Sequence, residues 1–138
     1  MSLEQQPPLV LAMILADTVL LDVSSGKNII QGTYQALEAT TFPFTHPCIV
    51  VYVALTEGYG ETPIRLRLTD VDEMRPAILE LETVVNFSDP FIVLEIVFRE
   101  TKVVFPEPGE YRLQLFGAGE PLLERRLQVG AEAEPDVS

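Results

Sequence analysis

The chain has 138 residues, 47% of them apolar and 22% charged, enough to bury a core without cross-links and unlike a disordered or collagen-like polymer. Twenty-one acidic residues against nine basic ones leave a net charge of −12, the wrong sign for gripping phosphates. That balance argues against nucleic acid and against anionic membranes as partners. The single cysteine, Cys48, rules out an internal disulfide framework and fits a reducing, cytoplasmic location.

The length predicts one domain. Residues 1–8 are polar, carry Pro7-Pro8 and read as a flexible lead-in. A single globular domain is expected over residues 9–129, followed by an acidic, disordered tail over residues 130–138. The apolar run at residues 9–16 is too short to span a bilayer and lacks the flanks of a signal peptide. With no helix cap before it and Thr18-Val19-Leu20-Leu21 continuing it, the run reads as a strand.

Asp22, Ser24, Ser25 and Gly26 then form a turn, because Asp and Ser side chains bond local backbone and Gly accepts positive φ. Residues 28–32 return as a strand, and residues 34–39 hold another short one. Phe42-Pro43-Phe44-Thr45-His46-Pro47 is a proline-bounded connection whose flanking aromatics make a cis bond at Pro43 conceivable. Residues 48–56 are the most strand-like of all. They are apolar on both faces and so are expected to be central in a sheet.

The next pair of segments fixes a register. Ile64, Leu66 and Leu68 alternate with Arg65 and Arg67, and Leu79 and Leu81 alternate with Glu80 and Glu82. One hairpin register sets Arg67 opposite Glu80 and Arg65 opposite Glu82. It also sets Leu66 opposite Leu81 and Leu68 opposite Leu79, so both faces match at once. Residues 91–99 follow as a strand with Ile92, Leu94, Ile96 and Phe98 inward, and residues 102–105 as a short one.

The last hairpin is the clearest. Pro106 and Pro108 end the preceding strand, and Gly109 turns the chain. Tyr111, Leu113 and Leu115 then share one face. Gly117 and Gly119 reverse the chain into a strand carrying Leu123, Leu127 and Val129. The spacing of Glu107, Gly109 and Tyr111 is that of a tyrosine corner, a structural pin in immunoglobulin-like sandwiches. Position 113, where such domains often carry a disulfide cysteine, is Leu. The expected fold is therefore all-β, an immunoglobulin-like β-sandwich of about 7–9 antiparallel strands.

Ala16-Asp17, Asp22 with Gly26-Lys27, Phe42-Pro43-x-x-His46-Pro47 and Phe105-Pro106-Glu107-Pro108-Gly109-Glu110-Tyr111 together resemble an uncharacterised family of small bacterial proteins, known only as a domain of unknown function. The resemblance covers about residues 9–129, and its most specific part is the last motif. It implies an immunoglobulin-like sandwich and supplies no activity, cofactor or catalytic residue.

Candidate chemistry is thin. His46 and Cys48, two residues apart, suggest a thiol with a base, but a working dyad needs a third group to orient the imidazole. A loop histidine beside a half-buried thiol is the better reading, so no catalytic residue is expected. Asp70, Asp72 and Glu73 offer oxygen ligands without the spacing of a calcium loop, and read as a solvated acidic turn. Asp17 and Asp22 do not form a paired-carboxylate site, because turn chemistry accounts for Asp22. No metal and no cofactor are expected.

The remaining candidate is a surface. If Leu66, Ile92 and their partners face the core, then Val50, Tyr52, Ala54, Val84, Phe91, Val93 and Val97 point outward as an apolar interface, unless loops or the N-terminal segment cover them or the faces are shifted by one residue. The leading expectation is a non-catalytic, cytoplasmic protein-interaction or structural module acting through that sheet face or an edge, with a protein partner or a homo-oligomer. The alternative is a small-molecule-binding domain using the loops near residues 42–47 and 58–60.

Overall fold

The computed structural model describes residues 6–130. Of the expected lead-in over residues 1–8 and tail over residues 130–138, residues 1–5 and 131–138 lie outside the described residues. Nine strands follow in order: β1 Leu9–Asp22, β2 Lys27–Thr33, β3 Ala36–Glu38, β4 Phe44–Thr56, β5 Gly60–Asp70, β6 Leu79–Phe87, β7 Leu94–Phe105, β8 Gly109–Gly117 and β9 Glu120–Gly130. They make a four-stranded sheet ordered β2-β1-β4-β7 and a five-stranded sheet ordered β3-β9-β8-β5-β6. Every pairing is antiparallel except the short parallel one between β3 and β9. The described residues form no helix, and so none long and apolar enough to cross a membrane.

The two sheets close over one core. Met13, Leu15, Val51, Val53 and Phe98 supply it from the four-stranded sheet, and Ile64, Leu66, Leu68, Leu113 and Leu115 from the other. The β5–β6 hairpin adopts the expected register, with Arg67 opposite Glu80, Arg65 opposite Glu82 and Leu66 opposite Leu81. In the β8–β9 hairpin the register shifts between Leu115 and Phe116, which leaves Leu123 exposed and packs Leu122 against the core instead. Arg125, inward on β9, donates from Nη1 to the Met13 carbonyl of β1 at 2.6 Å and links the sheets.

The tyrosine corner forms. Tyr111 is 1% exposed and its Oη donates to the Glu107 carbonyl at 2.5 Å. The Phe42–Pro43 bond is cis. Phe105 lies edge-on to Tyr111 at 5.0 Å between ring centres and stacks on Phe44 at 6.2 Å. Phe44 continues to His46, and His46 to Tyr34, so one end of the sandwich is a column of rings.

Besides a bulge in the β1–β4 ladder between Val10 and Ala12, two positive-φ residues kink the four-stranded sheet. The expected strands at residues 91–99 and 102–105 are one strand, β7, with Lys102 in the left-handed region at φ 54°. Leu94, Ile96 and Phe98 face the core before Lys102, and Val103 and Phe105 after it, so the inward parity switches there. The second kink lies in the β1–β2 ladder at Gly32, with φ 72°; a Cβ there would meet Asp17 Oδ2 at 2.4 Å. Only glycine fits both that dihedral and that space.

Beyond this kink β1 leaves β4. The β1–β4 ladder ends at Ala16 opposite Val50, while the β1–β2 ladder continues to Asp22 opposite Lys27. Residues 17–33 thus form a two-stranded arm. Val19 and Ile30, paired across it, pack with Ala16 and Val50 on the outer side of the four-stranded sheet, a second apolar cluster separate from the main core.

Candidate interaction surface

The period-two pattern of β4 sends Ile49, Val51, Val53 and Leu55 into the core and Val50, Tyr52 and Ala54 outward. Val97 of β7 lies opposite Tyr52 and Arg99 opposite Val50, so both share that outer face with Ala12, Ile14 and Ala16 of β1. The face is apolar but not uniformly bare. Val50 is 2% exposed beneath the arm, and Ala54 is buried between Ala12 and Glu95, whereas Ile14, Tyr52 and Val97 are half-buried. Arg99 holds the arm down, donating from Nη2 to the Val19 carbonyl at 2.7 Å. Tyr52 donates its hydroxyl to Glu95 Oε2. Burial first, and then Glu95, push the Tyr52 phenol up to about 12, so it stays a donor at neutral pH.

The structure splits the expected seven-residue interface. Val50, Tyr52, Ala54 and Val97 belong together on the outer face of the four-stranded sheet. Val84 does not: it lies 62% exposed on the outer face of the five-stranded sheet, opposite Pro63. Phe91 is not in a strand at all. Its amide donates to Asp89 Oδ1 at 2.8 Å in the turn before β7, which leaves its ring 86% exposed, and Val93 follows it outside β7. Residues that pattern reading missed are Leu20, Leu21, Val23 and Ile29, all exposed on the arm.

The outer face of the five-stranded sheet is polar. Arg65 reaches Glu80 at 2.7 Å, Arg112 reaches Glu110 at 2.7 Å and Glu124 at 2.6 Å, and Gln114 donates to Glu124 at 3.1 Å. Gln114 and Arg112 hold the Glu124 carboxyl below the usual carboxylate range. The Arg65 guanidinium also sits 4.3 Å above the Phe116 ring, lining a shallow groove of about 380 Å³ with Pro63, Glu82 and Val84.

The possible thiol–imidazole pair is separated. Pro47, between them, lies at the level of the Lys102 kink. His46 stacks with Tyr34 and Phe44, which pack on the main core, whereas Cys48 packs on the Val50 cluster. Burial pulls the His46 pKa below its ordinary value, against Asp17 and a bond to the Cys48 backbone, both of which favour the charged ring. Burial also pushes the Tyr34 phenol up to about 12, and its buried Oη has no hydrogen-bond partner among the described residues. The arrangement sets the His46 ring among aromatic neighbours and the Cys48 thiol against a different cluster.

Arginine neutralises the acidic turn. Arg75 lies 3.8 Å from Asp70 and 2.5 Å from Glu107, and Arg67 lies 3.9 Å from Glu73. Among the described residues no cluster of three or more His, Cys, Asp or Glu is arranged to hold a metal ion. Asp22 accepts bonds from Ser24 and Ser25 in its turn, which lower its pKa, and stands at the tip of the arm, away from Asp17 at its base. In the loops considered for a small ligand, Phe42, Phe44 and His46 pack edge-on or tilted against one another, and the Phe87 ring lies where a Gly58 side chain would stand.

Compared with known proteins, the chain matches the family of unknown function (DUF6941) over residues 11–130 and belongs to that family. No match was found among curated proteins. Among solved structures, it is similar to a β-glucosidase from Listeria innocua, alone and in complex with isofagomine, each at 13% identity and a TM-score of 0.47. The likeness covers 89% of this chain and 17% and 16% of those chains, so the chain spans less than a fifth of their length.

Proposed function

We propose that this member of the family is a non-catalytic protein-interaction module, working in the cytoplasm without a cofactor, through the outer face of its four-stranded sheet and the adjoining arm. One observation carries the reading: the two outer faces differ in kind. The five-stranded face satisfies its own polar groups side chain to side chain, while the four-stranded face presents Ile14, Tyr52 and Val97 half-buried. Leu9 and Leu11 stand exposed beside it at the start of β1. Contiguous apolar surface of this kind on a soluble domain marks a contact with another protein.

The test is the mass of the tagged chain captured gently from its own host and measured by native mass spectrometry. Additional protein mass, or an integer multiple of the chain, is expected, and Tyr52→Asp removes it while the circular dichroism spectrum and the melting temperature stay within a few degrees. A bare monomer, or a complex indifferent to Tyr52→Asp, sinks the reading.

A further inference from the structure

β7 is the rim of the four-stranded sheet, with β4 on one side and, among the described residues, no strand of that sheet on the other. From Leu94 to Thr101 it runs against β4 without a register shift, ahead of the left-handed Lys102. Such an edge offers a row of backbone donors and acceptors that readily pairs with another strand. Edges are usually blunted by charge, and here the charges are balanced. Glu95, Arg99, Glu100 and Lys102 sum to zero in a chain whose net charge is −12. Self-association is therefore least opposed along this strand.

Their spacing is more telling. Glu95 and Arg99 both lie on the outer face, two residues to either side of Val97. Antiparallel pairing of two β7 strands about Val97 sets Glu95 opposite Arg99 of the second copy, and Arg99 opposite its Glu95. It also sets Ile96 opposite Phe98, which extends the core side of the sheet. Moving the centre by one residue keeps outer face with outer face but loses both ion pairs: centred on Ile96, Glu95 meets Val97; centred on Phe98, Arg99 meets Val97. Centred on Glu95 or on Arg99, like charges meet across the axis. Of the centres from Glu95 to Arg99, ahead of the Lys102 kink, Val97 alone sets opposite charges face to face.

We propose that the chain forms a two-fold symmetric dimer through β7, antiparallel about Val97, with a second copy of itself as the partner. The two four-stranded sheets become one eight-stranded sheet, and their apolar outer faces become one surface. A two-fold contact of this kind is self-complementary, as the charge pattern is. The inference deepens the interaction reading above and rests on it, since it names the partner of the same sheet.

Sedimentation velocity on the full chain over a concentration series tests it. The unaltered chain is expected to dimerise. Glu95→Arg sets two arginine pairs face to face and raises the dimer Kd by about tenfold or more. The double variant Glu95→Arg/Arg99→Glu recreates both pairs with their signs exchanged and brings dimerisation back. A chain monomeric at every concentration overturns the proposal, as does a dimer indifferent to Glu95→Arg or a folded double variant that stays monomeric. Should the double variant fail to fold without the Arg99 contact to Val19, oxidation of Cys48→Ser/Val97→Cys decides: a disulfide-linked dimer is expected, and its absence overturns the register. The two readings fail separately. A monomer that still carries a Tyr52→Asp-sensitive partner in its host, or a dimer lost on Tyr52→Asp but not on Glu95→Arg, sinks the edge pairing alone.

Discussion

On the five-stranded sheet, Arg65 meets Glu80, Arg67 meets Gln114, and Arg112 and Gln114 meet Glu124 across neighbouring strands, while Arg112 also meets Glu110 along β8. On the four-stranded sheet, the same position in the pleat holds Ala12, Ile14, Val50, Tyr52, Ala54 and Val97, and the chain folds its own β1–β2 arm over one end of them. A polar face can remain a surface, because each exposed pair contributes little and tolerates loss. An apolar face cannot remain bare without an energetic penalty proportional to its area. The arm relieves part of that penalty within the chain, and the remainder, around Ile14, Tyr52 and Val97, is the surface proposed above for a partner.

The comparison breaks most visibly at Val50. Val50→Asp buries a carboxylate in the cluster beneath the arm, where the native side chain is 2% exposed and the facing Arg99 already serves the Val19 carbonyl. It is expected to lower the unfolding free energy by more than about 3 kcal/mol. The same change on the other face, Val84→Asp, meets solvent and is expected to stay within about 0.5 kcal/mol. Urea unfolding of the two variants side by side is the measurement, and equal losses would abolish the distinction between the faces. Next in size is the Arg99 clamp. Arg99→Ala removes its bond to the Val19 carbonyl, with a loss of about 1 kcal/mol, because a hydrogen bond from a charged donor is here partly open to water. Amide exchange in the arm should quicken about fivefold while β5 and β8 stay protected. Uniform quickening would mean that the arm does not open on its own.

Alternation along a strand reveals which residues point inward and which outward, and this is why the β5–β6 register was legible: two alternations, apolar and charged, agreed on one pairing. Alternation does not say which of two sheets an outward residue belongs to. Val84 and Val97 carry the same signal in sequence yet stand on opposite outer faces of the sandwich. Nor does it survive a kink. Lys102 adopts a left-handed conformation that no residue preference announces, and past it the inward parity of β7 reverses. Gly32 did leave a trace: a glycine inside a strand marks a bulge or a close approach, and here Asp17 fills the space of its missing Cβ. Read that way, it marks where β1 leaves the sheet. The arm's role as a cover was not legible, because it depends on the pairing of Val19 and Ile30 above Val50, a contact between segments far apart in the chain.

The smallest effect is expected on the polar face, and its smallness is the point. The Glu80 carboxylate serves Arg65 at 2.7 Å and Arg67 at 3.9 Å, with Glu80 exposed and both arginines half-buried. In Glu80→Ala neither arginine is left stranded. Arg67 keeps Glu73 and Gln114, and Arg65 keeps the Phe116 ring. The loss should therefore be about 0.5 kcal/mol in dilute buffer, read from the urea midpoint. It should vanish in about 1 M salt, where screening reaches down to roughly 3 Å. A loss several times larger, or one that salt does not touch, would mean that this face is held as tightly as the other. The apolar face would then no longer be singled out as the place where the molecule meets another protein.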